Sequence, residues 1–316
     1  MSEPLDVGIL GAGNMGNGFA AHFAMHGHDV TLSDHRQSNL EAARGQIREI
    51  VSFLRKEAAT DQFPDEVTSS IEFILDTGSA FATADLVLES VPEKLDLKHE
   101  VFRDIAETAP ADTVLASNTS GIPITDIAEG VPDCADRMVG CHWWYPPYLL
   151  PTVEVVRGEQ TSDRTVERIE SFLHSVDREP IIVEKDVPGF VWNRIQMAII
   201  RESLHLVEEG VASAEDVNRA IRDGYALRTA AIGPLETIDI AGVELFQTVL
   251  GDISPHLCND DEPNPLLQEY LDAGRKGIHS GAGFFEYDES PEEITRTRDE
   301  TVMAIRRAIE ESETDH

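Results

Sequence analysis

A chain of 316 residues with 25 basic against 59 acidic side chains carries a formal charge of −34, which excludes the basic faces that nucleic acids and anionic membranes require. Apolar periodic segments along the whole length, within a hydrophobic content of 41%, exclude a disordered acidic protein. The length suggests about two domains of roughly 150 residues each.

The acidic excess is dispersed, and only five of the basic residues are lysine (Lys56, Lys94, Lys98, Lys185 and Lys276), a surface suited to high salt, as in a halophile. Cys134, Cys141 and Cys258 show no paired or CxxC spacing, as expected of a reducing interior. No run approaches the ~18 apolar residues of a membrane span. The N-terminus lacks the basic and apolar regions of a signal peptide. The expectation is a soluble, cytoplasmic protein.

In chain order, Asp6–Leu10 reads as a strand and is followed at once by Gly11-Ala12-Gly13-Asn14-Met15-Gly16 and a helical run to about His26. A second strand, Val30–Ser33, ends at Asp34. This is a βαβ unit with GxGxxG at its first turn, and each part has a physical task. Gly11 allows the tight turn, Gly13 lets backbone approach a pyrophosphate, and Gly16 lets helix pack on strand. The helix N-terminus, at Asn14 and Met15, attracts phosphate, and Asp34 suits the ribose hydroxyls of a dinucleotide. A carboxylate there repels a 2′-phosphate, which favours NAD over NADP; Arg36 pulls the other way.

Residues 38–58 form a long amphipathic helix with Ile47, Ile50, Val51 and Leu54 as its apolar stripe. Arg44, Arg48 and Arg55 share a neighbouring stripe. They suit a phosphate site or pair with surface carboxylates such as Glu41. Leu86–Leu88 is a buried strand ending in Glu89-Ser90-Val91-Pro92-Glu93, and a helix carrying Lys98 follows to about Thr108. Thr113–Ser117 is the next strand, ending in Asn118-Thr119-Ser120. Polar residues just past strand C-termini line the ligand crevice of open α/β sheets, which makes Glu93, Asn118 and Ser120 site candidates.

Val139–Cys141 leads into His142, and a Trp143-Trp144-Tyr145-Pro146-Pro147 loop separates it from the strand Thr152–Val156, which carries Glu154 on the face opposite Val153 and Val155. Pro146, Pro147 and Pro151 preclude a regular helix or a central strand in the loop. The separation of twelve residues lets the chain reverse and set the carboxylate against the imidazole. Two readings follow: a base dyad, or a core histidine beside a strand glutamate with another partner. Trp143 and Trp144 suit packing and substrate contact equally. His22 and His26, four residues apart, lack a third metal ligand. A helix over 163–176 capped by Ser162 and a strand Pro180–Val183 complete the first domain.

Asp186-Val187-Pro188-Gly189-Phe190 breaks the pattern, and the remainder reads as helical, with Asn193 in a first turn. Helices are expected over about 214–223 and 235–249, then a glycine-rich loop before Phe284-Phe285 and an acidic, solvated helix from Pro291. The fold class is α/β: a Rossmann-type, mostly parallel sheet over residues 1–186 and a second, all-helical domain over 187–316.

Gly11–Gly16, Ser117–Ser120, His142 with Glu154, Val187–Arg194, Gly233–Glu236 and Ser280–Phe285, in this order, make the chain similar to the 3-hydroxyacyl-CoA dehydrogenase family over nearly its whole length. The resemblance implies a Rossmann domain, a helical domain that dimerises, and NAD-dependent oxidation of an (S)-3-hydroxyacyl-CoA in fatty acid metabolism. It makes His142 the catalytic base and Glu154 its partner, gives Ser120 and Asn193 the substrate, puts Lys98 near the cofactor, and lays the stripe of Arg44, Arg48 and Arg55 where a helical hairpin binds CoA. One position departs: Tyr145 stands where the family has asparagine. The resemblance extends to dehydrogenases of free acids, such as gulonate and carnitine dehydrogenases, so a small free 3-hydroxy acid is the alternative substrate. A non-catalytic, crystallin-like NAD-binding protein is the third reading.

Overall fold

The computed structural model describes residues 3–75 and 80–314. The chain divides into two compact units, Met1–Arg194 and Ile195–His316.

The first unit runs β1 (Asp6–Leu10), α1 (Asn14–Met25), β2 (Asp29–Ser33), α2 (Gln37–Lys56), α3 (Pro64–Ser70), β3 (Ile71–Ile74), β4 (Leu86–Glu89), α4 (Leu95–Thr108), β5 (Val114–Ser117), α5 (Ile124–Ala128), β6 (Met138–Trp143), β7 (Thr152–Val156), α6 (Asp163–Ser175) and β8 (Glu179–Val183). The strands form one sheet in the order β3-β2-β1-β4-β5-β6-β7-β8. Every pairing is parallel except that of β6 with β7. The order reverses direction at β1 and β4, which places a ligand crevice at the C-terminal ends of those strands.

Helices cover both faces, so strand residues are apolar in unbroken runs: every residue of β4, β5 and β6 is buried. Neighbours along a strand feed different clusters. Ile9, Leu88 and Ala116 join Phe19, Phe23, Ile47 and Phe172 from α1, α2 and α6. Leu10, Val87 and Leu115 join Phe102, Ile105, Ile124 and Ile127 from α4 and α5. Ser162 caps α6 by accepting from the Thr165 amide.

The helix α7 (Trp192–Glu208) begins with the last residues of the first unit; in the second it leads into α8 (Ala214–Arg219), which continues through π-helical turns over Ala220–Ala226 into α9 (Leu227–Thr229). Then come α10 (Pro234–Ala241), α11 (Val243–Ile253), α12 (Pro265–Asp272) and α13 (Pro291–Thr314). Two expectations change. The single helix over 235–249 is two helices, because Gly242 between them has φ +101°, which ends one helix and starts the next. The acidic terminal helix is not wholly solvated, since Met303 and Asp299 on α13 are buried.

Candidate active site

The crevice end of the sheet begins at the glycine turn. Gly11 has φ +107°, and a Cβ there would meet the Ser90 carbonyl at 2.6 Å. A Cβ on Gly16 would lie 1.8 Å from the Gly11 carbonyl, so α1 can sit on β1 only with glycine at that position. Gly13 is different: a Cβ there meets nothing within 4 Å. Packing within the chain therefore does not require glycine at 13, and the space beside it is open. Gly13 is also the N-cap of α1 and offers no side-chain cap, and no acidic residue lies in the first turn. The start of α1, with Asn14 and Met15, thus carries no acidic side chain of its own, which suits an anion.

Asp34, at the end of β2, is buried. Its Oδ2 accepts from the Ala12 amide at 2.9 Å, and its Oδ1 from the Arg36 amide and Asn39 Nδ2, both at 2.9 Å. The carboxylate thereby ties the glycine turn to β2 and brings a negative charge beside that turn. These features fit NAD.

The other predicted cofactor residues form one network. Glu89 ends β4 with no exposed surface. It accepts from Lys98 Nζ at 2.8 and 2.9 Å, from Ser117 Oγ at 2.6 Å and from the Val91 amide at 2.6 Å. Lys98 is therefore a buried ion-pair partner, 1% exposed, rather than a cation open to the crevice. Its ammonium also lies 3.3 Å from Glu93 Oε2. The other oxygen of Glu93 accepts from Thr119 Oγ1 at 2.5 Å, from the Ser120 amide at 3.0 Å and from the Gly121 amide at 3.2 Å. Burial alone would raise the Glu93 pKa, but the Thr119 hydroxyl, the Lys98 charge and the Ser120 amide outweigh it and hold the carboxyl below its usual range. Asn118 Oδ1 accepts from the Trp143 amide at 2.9 Å and so ties the end of β5 to β6.

The antiparallel pairing of β6 with β7 sets His142 directly opposite Glu154. His142 Nδ1 lies 2.6 Å from Glu154 Oε2, and both side chains are buried. An ionised carboxylate only accepts, so Nδ1 carries a proton, and in the neutral ring Nε2 is then the acceptor. Glu154 Oε1 accepts from the Val191 and Trp192 amides at 2.8 and 2.9 Å, at the start of α7. Burial works to raise the Glu154 pKa; the His142 hydrogen bond and then the two amides outweigh it and keep the carboxyl ionised below its usual range. The Phe190 ring stands edge-on to the imidazole at 5.8 Å. Asn193 Nδ2 donates to the Ser120 carbonyl at 2.7 Å, so the serine is held from both sides of its backbone. Trp144 stacks on Trp192 at 4.1 Å, while Tyr145 is 46% exposed.

The arginine stripe does not converge. Arg44 lies over the Phe73 ring at 3.8 Å. Arg48 pairs with Asp65 of α3 at 2.6 Å. Arg55 lies over Phe63 at 3.9 Å and donates to the carbonyls of Asp61 and Gln62. His22 and His26 make hydrogen bonds to Val176 O and to the His22 carbonyl, and no metal-binding cluster occurs among the described residues. Sequence reasoning missed Glu89 and the Val191 and Trp192 amides. Glu89 had a signal, a charged residue closing an apolar strand; backbone amides carry none.

Comparison with known proteins agrees with this geometry. Residues 6–187 match the family model described as 3-hydroxyacyl-CoA dehydrogenase, NAD binding domain, and residues 189–287 match its C-terminal domain. A 5-formyl-3-hydroxy-2-methylpyridine 4-carboxylate 5-dehydrogenase from Mesorhizobium japonicum is 37% identical over 96% of this chain and 98% of its own length. A probable 3-hydroxybutyryl-CoA dehydrogenase from Deinococcus radiodurans is 34% identical over 90% of this chain and 100% of its own. Among solved structures, an NAD+-dependent 5-formyl-3-hydroxy-2-methylpyridine 4-carboxylic acid 5-dehydrogenase superposes with a TM-score of 0.89 at 36% identity, covering 97% of this chain and 99% of that one. On these matches the chain belongs to the 3-hydroxyacyl-CoA dehydrogenase family and is an NAD-dependent oxidoreductase.

Proposed function

We propose that the chain oxidises the hydroxyl group of a small free 3-hydroxy acid, with oxidation of an (S)-3-hydroxyacyl-CoA as the second reading. The observation that carries the choice is the arginine stripe. CoA brings a 3′-phosphate and a pyrophosphate into the field of a protein with charge −34, and such a ligand needs convergent local cations. Arg44, Arg48 and Arg55 instead each engage a ring, a carboxylate or a carbonyl of their own neighbourhood. The likeness over 96% of the chain to a dehydrogenase named for a pyridine carboxylate supports a substrate without CoA. The family model and the Deinococcus relative favour the second reading.

In this mechanism His142 Nε2 takes the hydroxyl proton. Glu154 keeps the ring oriented through Nδ1 and stabilises the imidazolium that forms. The Val191 and Trp192 amides keep the glutamate from turning away. Ser120 and Asn193 hold the substrate, with Tyr145 at the rim of its site. When bound, NAD supplies the hydride acceptor. Residues 1–186 thus form the cofactor domain, and residues 187–316 contribute substrate contacts and dimerisation. The dimer is supported by the bare apolar side chains of the second unit, among them Leu235, Ile240 and Val243 at 75, 73 and 63% exposure, since symmetric pairs are the commonest way to cover such a face. Steady-state rates at high salt decide the substrate. The expected result is a kcat/KM for free 3-hydroxy acids at least roughly tenfold above that for 3-hydroxybutyryl-CoA, a difference of about 1.4 kcal/mol in transition-state binding. The opposite order would select the acyl-CoA.

A further inference from the structure

We propose that Glu89 is a positioning residue for substrate binding, acting through Lys98 and Glu93 on the Ser120 segment. The proposal rests on the reading of Ser120 as a substrate-holding residue. A carboxylate with no exposed surface at the tip of a central strand is costly unless its oxygens are filled. Glu89 has four donors: two contacts from Lys98, the Ser117 hydroxyl and the Val91 amide. These join the ends of β4 and β5 and the first turn of α4.

The arrangement has a direction. Lys98 has three N–H bonds; two meet Glu89, and the third faces Glu93 Oε2 at 3.3 Å. Glu93, 42% exposed at its side chain, then collects Thr119, Ser120 and Gly121 on its remaining oxygen. Glu89 thus orients the ammonium, the ammonium orients Glu93, and Glu93 fixes the backbone of Ser120 from the side opposite Asn193. A purely structural ion pair would end at Lys98. This one continues to a half-exposed carboxylate whose three other partners all lie in the segment 119–121.

The test compares Glu89→Gln, Lys98→Met, the double variant and Ser120→Ala, with KM for the hydroxy acid and kcat measured at saturating NAD and folding followed by thermal denaturation. Glu89→Gln leaves the buried ammonium only Glu93, and Lys98→Met leaves a buried carboxylate without its cation, so either can fail to fold; the double variant removes both charges and keeps the experiment decisive. The expected result is a KM raised roughly tenfold by Lys98→Met and by a folded Glu89→Gln alike, the scale of one lost coupled contact, and raised no further in the double variant, because Glu89 reaches Ser120 through Lys98. The kcat should fall less than KM rises. A folded double variant with unaltered KM, beside a raised KM in Ser120→Ala, would overturn the role of Glu89 and leave the role of Ser120 standing. An unaltered KM in Ser120→Ala would overturn both.

Discussion

The two compact units differ in how they close on themselves. In the first, Ile9, Phe19, Leu32, Leu88 and Phe102 are fully or almost fully covered, and apolar clusters lie on both faces of one sheet. In the second, the buried apolar side chains among the described residues are Val217 and Met303, while Leu227, Leu235 and Ile240 stand 70, 75 and 73% exposed. A parallel sheet wrapped on both faces completes its own core. Helices that are apolar along one stripe do so only if something covers the stripes. The first unit can therefore hold a histidine and a carboxylate in register by itself. The second leaves stripes of that kind exposed.

The sharpest way to break this contrast is at the dyad. His142→Ala should lower kcat by about 10²–10⁴-fold, the contribution of a positioned base, with NAD affinity by fluorescence titration and the sedimentation coefficient unaltered. A variant that keeps most of its kcat would remove the chemistry from the first unit. Glu154→Gln comes next, with kcat expected to fall by roughly 10²-fold because an amide cannot stabilise the imidazolium. It also has a signature in stability. The folded pKa of Glu154 is lowered, so its contribution is fully present above the ordinary carboxylate value of about 4.3 and is lost as pH falls through the lowered folded value. Thermal denaturation of Glu154→Gln should therefore depend less steeply on pH below that ordinary value than the parent does; parallel curves would mean that the carboxylate is not held in this way.

The contrast is probed from the other side by Leu235→Glu together with Val243→Glu. If a second copy covers α10 and α11, unpaired buried carboxylates should weaken association by roughly 3–5 kcal/mol. Sedimentation should then show a smaller species, and Tm should become more dependent on protein concentration. If the face meets water, the pair should alter stability by no more than about 0.5 kcal/mol per site. The smallest effect is expected from Arg44→Gln with Arg48→Gln. On the small-acid reading these arginines serve only their neighbours, so kcat/KM should move by less than about twofold, with stability falling by no more than ~1 kcal/mol for the exposed Arg48–Asp65 pair. A selective rise in KM for acyl-CoA, absent with acyl-pantetheine, would return the stripe to phosphate binding.

Much of the first unit was legible because burial on both faces writes itself as unbroken apolar runs. Leu86–Leu88, Val139–Cys141 and Thr152–Val156 could be read as strands without neighbours, and the glycine turn followed from the steric demands of Gly11 and Gly16. The edge strand Ile71–Ile74 and the five-residue α5 went unread, being short and, in the strand, mostly half-covered. The break at Gly242 was hidden because the apolar period continues through it and only the backbone dihedral interrupts the helix.

By itself the sequence determined which groups could do chemistry and at what strand ends they lie, because side-chain identity and period-2 or 3.6 spacing are local properties. It carried His142, Glu154, Asp34 and the glycine turn as far as their elements. Which partner each charge takes was decided only by tertiary structure. Arg48 meets Asp65 because α3 packs along α2. Lys98 is buried because Glu89 faces it from the neighbouring strand tip. Glu154 is held by amides thirty-seven and thirty-eight residues further along the chain. An ion pair depends on distances of a few ångströms between segments far apart in sequence, and no local periodicity encodes those distances.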